Sequence, residues 1–158
     1  MSELANKLAY RNEIRRHLAE LTRLLGREVR ADELLSLEDT QRVRGALNGE
    51  EEPSRSFVIP FDDKSSPRWA LFVSNLSATL SGNVYLWTPA SNECGLLRPV
   101  PLGAVDFTFE FETIPEGIVS IVSEELGDRM VLDFSEEAQQ GRVLEVEQFG
   151  ETWGKVAY

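Results

Sequence analysis

The stretch from Ile114 to Tyr158 constrains the fold of this chain more than any other. Three runs rich in β-branched and aromatic residues, Ile118–Val122, Met130–Phe134 and Val143–Phe149, are separated by acidic breaks that hold Gly127 and Gly141. The pattern predicts a meander of three antiparallel strands. One face must be buried against something, and carboxylates line the rims.

The start of the chain has a different period. Leu4, Leu8, Ile14, Leu18, Leu21 and Leu25 recur at three- and four-residue steps, with Arg11 in the one vacant slot, and Gly26 follows. This is one stripe of a long helix with a glycine C-terminal cap, expected to lie on its own domain. Ser36-Leu37-Glu38-Asp39 has the form of a capping box and predicts a second helix that turns Leu37, Val43 and Leu47 inward and stops at Asn48-Gly49. Glu50 to Ser54 is a polar connector in which Pro53 forbids further helix.

From Phe57 onward the runs shorten. Phe57–Ile59, Trp69–Val73 and Asn83–Thr88 read as strands punctuated by Pro60, Pro67 and Pro89. Leu76, Ala78 and Leu80 alternate with polar residues before a Ser81-Gly82-Asn83 turn, and Pro89 to Pro101 reads as a loop. Asp106 to Glu112 alternates strictly, with Phe107, Phe109 and Phe111 on one side and acidic residues or Thr108 on the other, and so predicts a half-buried strand. The expected architecture is a single α+β domain over 1–158. Two N-terminal helices (1–49) come first, followed by a mainly antiparallel, twisted sheet (57–158).

Composition sets bounds on function. The 158 residues, 42% hydrophobic and 27% charged, suit one folded domain with a core. No run of about 18 apolar residues offers a membrane span, and the charged N-terminus lacks the apolar centre of a signal peptide. Cys94 is the only cysteine, which suits a reducing cytoplasm, most simply a bacterial one. The net charge of −11 is uneven: residues 1–30 hold seven Lys/Arg against four Glu, whereas from residue 90 onward four basic groups face fourteen acidic ones. A field of that sign disfavours nucleic acid and attracts basic partners.

Groups for catalysis are scarce. His17 is the only histidine and sits beside Arg15 and Arg16, where an exposed imidazole on a helix face is expected. Cys94 has no histidine near it in sequence. Phosphate loops, CxxC pairs, HExxH and Gly-x-Ser-x-Gly elbows are absent. Glu124, Glu125 and Asp128 crowd one turn and Glu136-Glu137 another, but neither has the alternating acids of a calcium loop. The sequence therefore predicts no catalytic residue, no metal site and no cofactor, and points to a binding protein rather than an enzyme.

The residues Gly127-Asp128, Val131-Leu132-Asp133, Gly141-Arg142-Val143 and Trp153 resemble the C-terminal part of the SUKH superfamily, where a Gly-Asp turn leads into an apolar strand ending in Asp. The resemblance implies an α+β fold and the work of a bacterial immunity protein, which binds and neutralises a toxin, often a nuclease. On this reading the partner is a basic toxin domain, whose Lys and Arg would meet carboxylates in place of phosphates. The expected contacts are Glu110, Glu112, Glu124, Glu125, Asp128, Glu136 and Glu137, with Trp87 or Trp153 as an apolar anchor. Nucleic acid and membrane are not expected as partners, and the chain is expected to be a monomer or weak homodimer. Two alternatives remain open: an adaptor that oligomerises through the Leu4–Leu25 stripe, and a hydrolase that uses carboxylates alone.

Overall fold

A computed structural model describes residues 2–47, 51–110 and 117–158, and the side chain of Glu137 is also outside the description. Helix α1 spans Glu3–Leu25. Ser2 caps its start, accepting from the Ala5 amide, and Gly26 ends it in the left-handed conformation at φ 63°. A side chain at position 26 would also come 2.9 Å from an Asp106 carboxylate oxygen. Helix α2, Leu37–Ala46, starts as expected, with the Ser36 hydroxyl accepting from the Asp39 amide.

The acidic connector leads to strand β1, Arg55–Pro60, and then to helix α3, Pro67–Ala78. Strand β2, Val84–Trp87, a one-turn helix α4, Ser91–Cys94, and an irregular stretch follow. Strands β3, Gly117–Ser123, β4, Arg129–Glu137, and β5, Gly141–Phe149, close the chain, apart from a final turn around Trp153. All neighbouring strands are antiparallel, and the sheet order is β1-β5-β4-β3-β2. This is the expected α+β class with helices first, and the three-strand meander forms where the β-rich runs place it.

Register explains the core. Leu86, Ile121, Met130 and Gln148 form one cross-strand row; Val119, Leu132, Val146 and Phe57 form the next; Phe134, Leu144 and Ile59 form a third. Apart from Gln148, which is buried but polar, and Phe57, which is partly buried and packs against them, these inner-face residues join Leu21, Leu24 and Leu25 of α1 and Trp69, Phe72, Val73 and Leu76 of α3 in one buried cluster. Burying an apolar side chain of this size contributes about 1.5–3 kcal/mol, and together these rows are the main stabilising term.

Three expectations give way. Trp69–Val73 and the Leu76 to Leu80 alternation are not strands; the first lies within α3, and the second is the end of α3 and the turn that follows it. Ser66 caps that helix through the Trp69 amide and Pro67 occupies its first turn. The buried residues fall at i, i+3, i+4 and i+7, and this helical period overrides the β propensity of the individual residues. The Asp106 to Glu112 segment is also not a strand over its described part. The Asp106 carboxylate accepts from the Thr108 amide at 3.0 Å and its hydroxyl at 2.6 Å, which bends the chain into a turn. Phe107 then packs on Trp69, and Phe109 is buried. Finally, Leu37 faces solvent; the buried residue of α2 is Thr40, whose hydroxyl accepts from the Leu96 amide.

His17 is the largest departure. Instead of lying on an exposed face, it is 1% exposed. Nε2 is 2.7 Å from the Gly95 carbonyl, which can only accept, so this nitrogen carries the proton. Nδ1 accepts from the Thr88 hydroxyl at 3.3 Å, and Ser91 continues the network. Burial pushes the imidazole below its ordinary value of 6.5, partly offset by the Gly95 hydrogen bond. A folded-state value below the unfolded one means that protonation favours the unfolded chain. The contribution is therefore complete above about pH 6.5 and is lost as pH falls toward the folded value, at up to about 1.4 kcal/mol per pH unit. Urea denaturation at a series of pH values will show this decline setting in as pH falls below about 6.5, and His17→Gln will flatten it.

Candidate functional site

The strongest concentration of expected contact residues is at the β3–β4 turn. Leu126 adopts φ 66° to make this turn, and the Ser123 hydroxyl accepts from the Asp128 amide across it. Glu124 reaches the β2 entry, accepting from the Asn83 amide at 3.1 Å while its own amide donates to the Asn83 carbonyl. Glu125 accepts from the Ser81 hydroxyl at 2.9 Å. Asp128 faces the other way and accepts from the amides of Thr152 at 3.1 Å and Trp153 at 2.8 Å. Gly150, at φ 101°, makes this approach possible, since a Cβ there would meet both Asp128 Oδ1 and the Gly127 carbonyl at 2.4 Å.

Two hollows adjoin at this end of the sheet, both touching Gly127. One, of about 110 Å³, is lined by Ser81, Asn83, Glu124, Glu125 and Asp128. The other, of about 680 Å³, is lined by Glu51, Glu52, Ser54, Glu151 and Lys155. Glu51, Glu52 and Glu151 were not anticipated as contact residues. The Glu50 to Ser54 run was legible as acidic, but only the fold brings Glu51, Glu52 and Ser54 beside the β3–β4 turn. Tyr85 reports the local field: burial and the nearby Glu124 charge push its phenol upward.

The remaining expected contacts lie elsewhere. Glu136 is at the far end of β4, about 25 Å from Asp128 at the strand rise of about 3.3 Å per residue. There it is registered opposite Arg142, which is itself ion-paired with Glu110. Glu112 is outside the described residues, as is the Glu137 side chain. Trp87 lies on the outer face of the sheet, in the cross-strand row of Ser120, Val131 and Glu147. It borders a hollow of about 290 Å³ with Arg44, Asn92 and Arg129 rather than with carboxylates.

Trp153 cannot serve as a surface anchor. It is 0% exposed, and its indole N–H donates to the Thr79 hydroxyl at 3.1 Å. The Gln148 side chain donates to the Trp153 and Val156 carbonyls and holds the C-terminal turn beneath the sheet.

Among the described residues, no group of three or more His, Cys, Asp or Glu is placed to hold a metal ion, and no helix is long and apolar enough to cross a membrane. Compared with protein-family models, curated proteins and solved structures, the chain matches none of them.

The geometry divides the acidic cluster by role. Asp128 is committed to two backbone amides, so Asp128→Ala leaves both donors unmatched and is expected to cost about 1–3 kcal/mol in urea denaturation. Glu151→Ala, on an exposed rim, is expected to stay within about 0.5 kcal/mol of the parent.

Proposed function

We propose that this chain is a non-catalytic binding protein that holds a basic protein partner against the acidic end of its sheet. In its specific form the proposal is an immunity protein: the partner is a basic bacterial toxin domain of the nuclease kind, whose active site is occluded without turnover. The observation that carries it is the convergence of Glu51, Glu52, Glu124, Glu125 and Glu151 from three separate segments around two adjoining hollows. Carboxylates on a rigid sheet end can take the positions that phosphates would occupy against Lys and Arg, and charge-assisted bonds of this kind are roughly twice as strong as neutral ones. Their field also steers association, raising on-rates by about 10–1000-fold at low salt.

The test is a pull-down at low salt from cells that encode a candidate toxin beside this chain, followed by toxin inhibition. Glu51→Lys, Glu52→Lys and Glu151→Lys together are expected to slow association at least about tenfold and to flatten its salt dependence. Glu136→Lys, at the far end of β4, should leave association unchanged. Equal capture by the triple variant overturns the assignment to this end of the sheet.

One observation favours a second reading, in which the chain self-associates through α1. Only the C-terminal half of that helix is buried; Leu4 is 68% and Leu8 51% exposed. Sedimentation should then show a dimer that Leu4→Glu with Leu8→Glu converts to monomer. A native monomer at high concentration dismisses this reading.

A further inference from the structure

We propose that the outer face of the sheet holds a binding site for a small aromatic carboxylate, centred on Trp87. The site shares no lining residue with the two acidic hollows at the β3–β4 turn, and it does not depend on the reading built on them.

The pleat assembles it. Tyr85, Val122, Arg129 and Phe149 form one outer row across the sheet, and Trp87, Ser120, Val131 and Glu147 form the next. Residues of both rows and of the end of α2 line a hollow of about 290 Å³. Leu47, Trp87 and Val122 supply its apolar wall, with Ser120, Arg44 and Arg129 beside them. Trp87 is half-buried, so part of its ring meets solvent, whereas Trp69 and Trp153 are enclosed in the core. Ligand sites run to about 300–1,000 Å³, and a hollow at the lower end of that range suits one ring with one substituent rather than a nucleotide.

Charge selects the sign of the ligand. In a chain of net charge −11, two of the described residues that line this hollow are arginines and none is acidic. Arg27, Arg30, Arg42 and Arg142 are ion-paired, but neither Arg44 nor Arg129 has an ion pair or a side-chain hydrogen bond among the described residues. Arg129 is half-buried, its Nε is enclosed without a partner, and its guanidinium lies 4.0 Å over the Phe149 ring. Glu147 is diagonal to it in the register yet makes no ion pair with it. An aromatic face compensates a desolvated cation only in part. Phe149 is the β5 neighbour of Arg129, so this charge stands at the β5 margin of the hollow, while Arg44 brings a second charge from α2. A ring stacked on Trp87 with its carboxylate toward β4 meets both the apolar wall and the positive charge. Guanidinium and carboxylate match as planar forks, and such charge-assisted bonds are roughly twice as strong as neutral ones. A neutral ring gains only the stacking.

Trp87 is its own reporter. 4-Nitrobenzoate, which quenches indole emission, is titrated into the native chain at low salt, beside its neutral isostere 4-nitrobenzamide. Saturable quenching with a midpoint below about 1 mM is expected from the acid, and a midpoint at least about tenfold higher from the amide. Arg44→Gln, at an exposed position that the fold does not need, and Arg129→Gln are each expected to raise the midpoint for the acid about threefold. Trp87→Phe should remove most of the saturable signal, because the other two tryptophans are enclosed. Equal midpoints for acid and amide overturn the proposal. So does a midpoint that neither arginine substitution moves, a signal that survives Trp87→Phe, or quenching that rises linearly and never saturates.

Discussion

The structure depends on covering the inner face of β4. Met130, Leu132 and Phe134 of this central strand are almost wholly removed from water. The neighbouring strands supply the flanks of these rows but cannot cover them from above, so a second layer is obligatory. Half of α1, one face of α3 and the bent Leu102 to Phe109 stretch form that layer, and the helix ends and turns are arranged to bring it into place. Gly26 allows α1 to stop against Asp106, whose amide donates to the Leu24 carbonyl, and the Asp106–Thr108 turn then swings Phe107 and Phe109 inward.

Polar groups under this layer are tolerated where they tie separate segments together. His17 joins α1 to the β2–α4 connection, Thr40 joins α2 to Leu96, and Gln148 joins β5 to the C-terminal turn. In each case a backbone carbonyl or amide that would otherwise be buried unpaired is satisfied from a distant side chain, which offsets a penalty of about 1–3 kcal/mol. Lys64 is the exception. Its charge faces aromatic rings, and aromatic faces compensate desolvation only in part, at about 2 kcal/mol for a desolvated site.

How far the sequence could be read follows from the range of the forces involved. Strands β3, β4 and β5 were legible because their runs of β-branched and aromatic residues, and the acidic glycine breaks between them, are local signals. Helix α1 was legible in its spacing and in Gly26. Helix α3 was misread because Trp69, Phe72 and Val73 favour strands individually; the decisive signal was Ser66-Pro67 with apolar residues at helical spacing. Asp106 to Glu112 alternates like a strand, but a local side-chain bond to the backbone wins over pairing. The burial of His17 rests on partners more than seventy residues away, and no local pattern announces it. The acidic β3–β4 turn was visible, whereas its junction with Glu51, Glu52 and Glu151 is a product of tertiary folding alone.

The two ends of β4 finally differ in kind, although both carry acids. At the far end Arg142 neutralises Glu110 and is itself held between charge and the rings of Phe61 and Phe134. The Arg142–Glu110 pair is close to neutral as a unit, so it projects little field of its own. At the turn end Glu124, Glu125 and Asp128 accept from amides and a hydroxyl, which orient them without cancelling their charge. The Debye length near physiological salt is about 8 Å, so the separation of roughly 25 Å isolates the two ends electrically. The turn end therefore differs from the far end in holding Glu124, Glu125 and Asp128 in fixed directions on the edge of a hydrogen-bonded sheet.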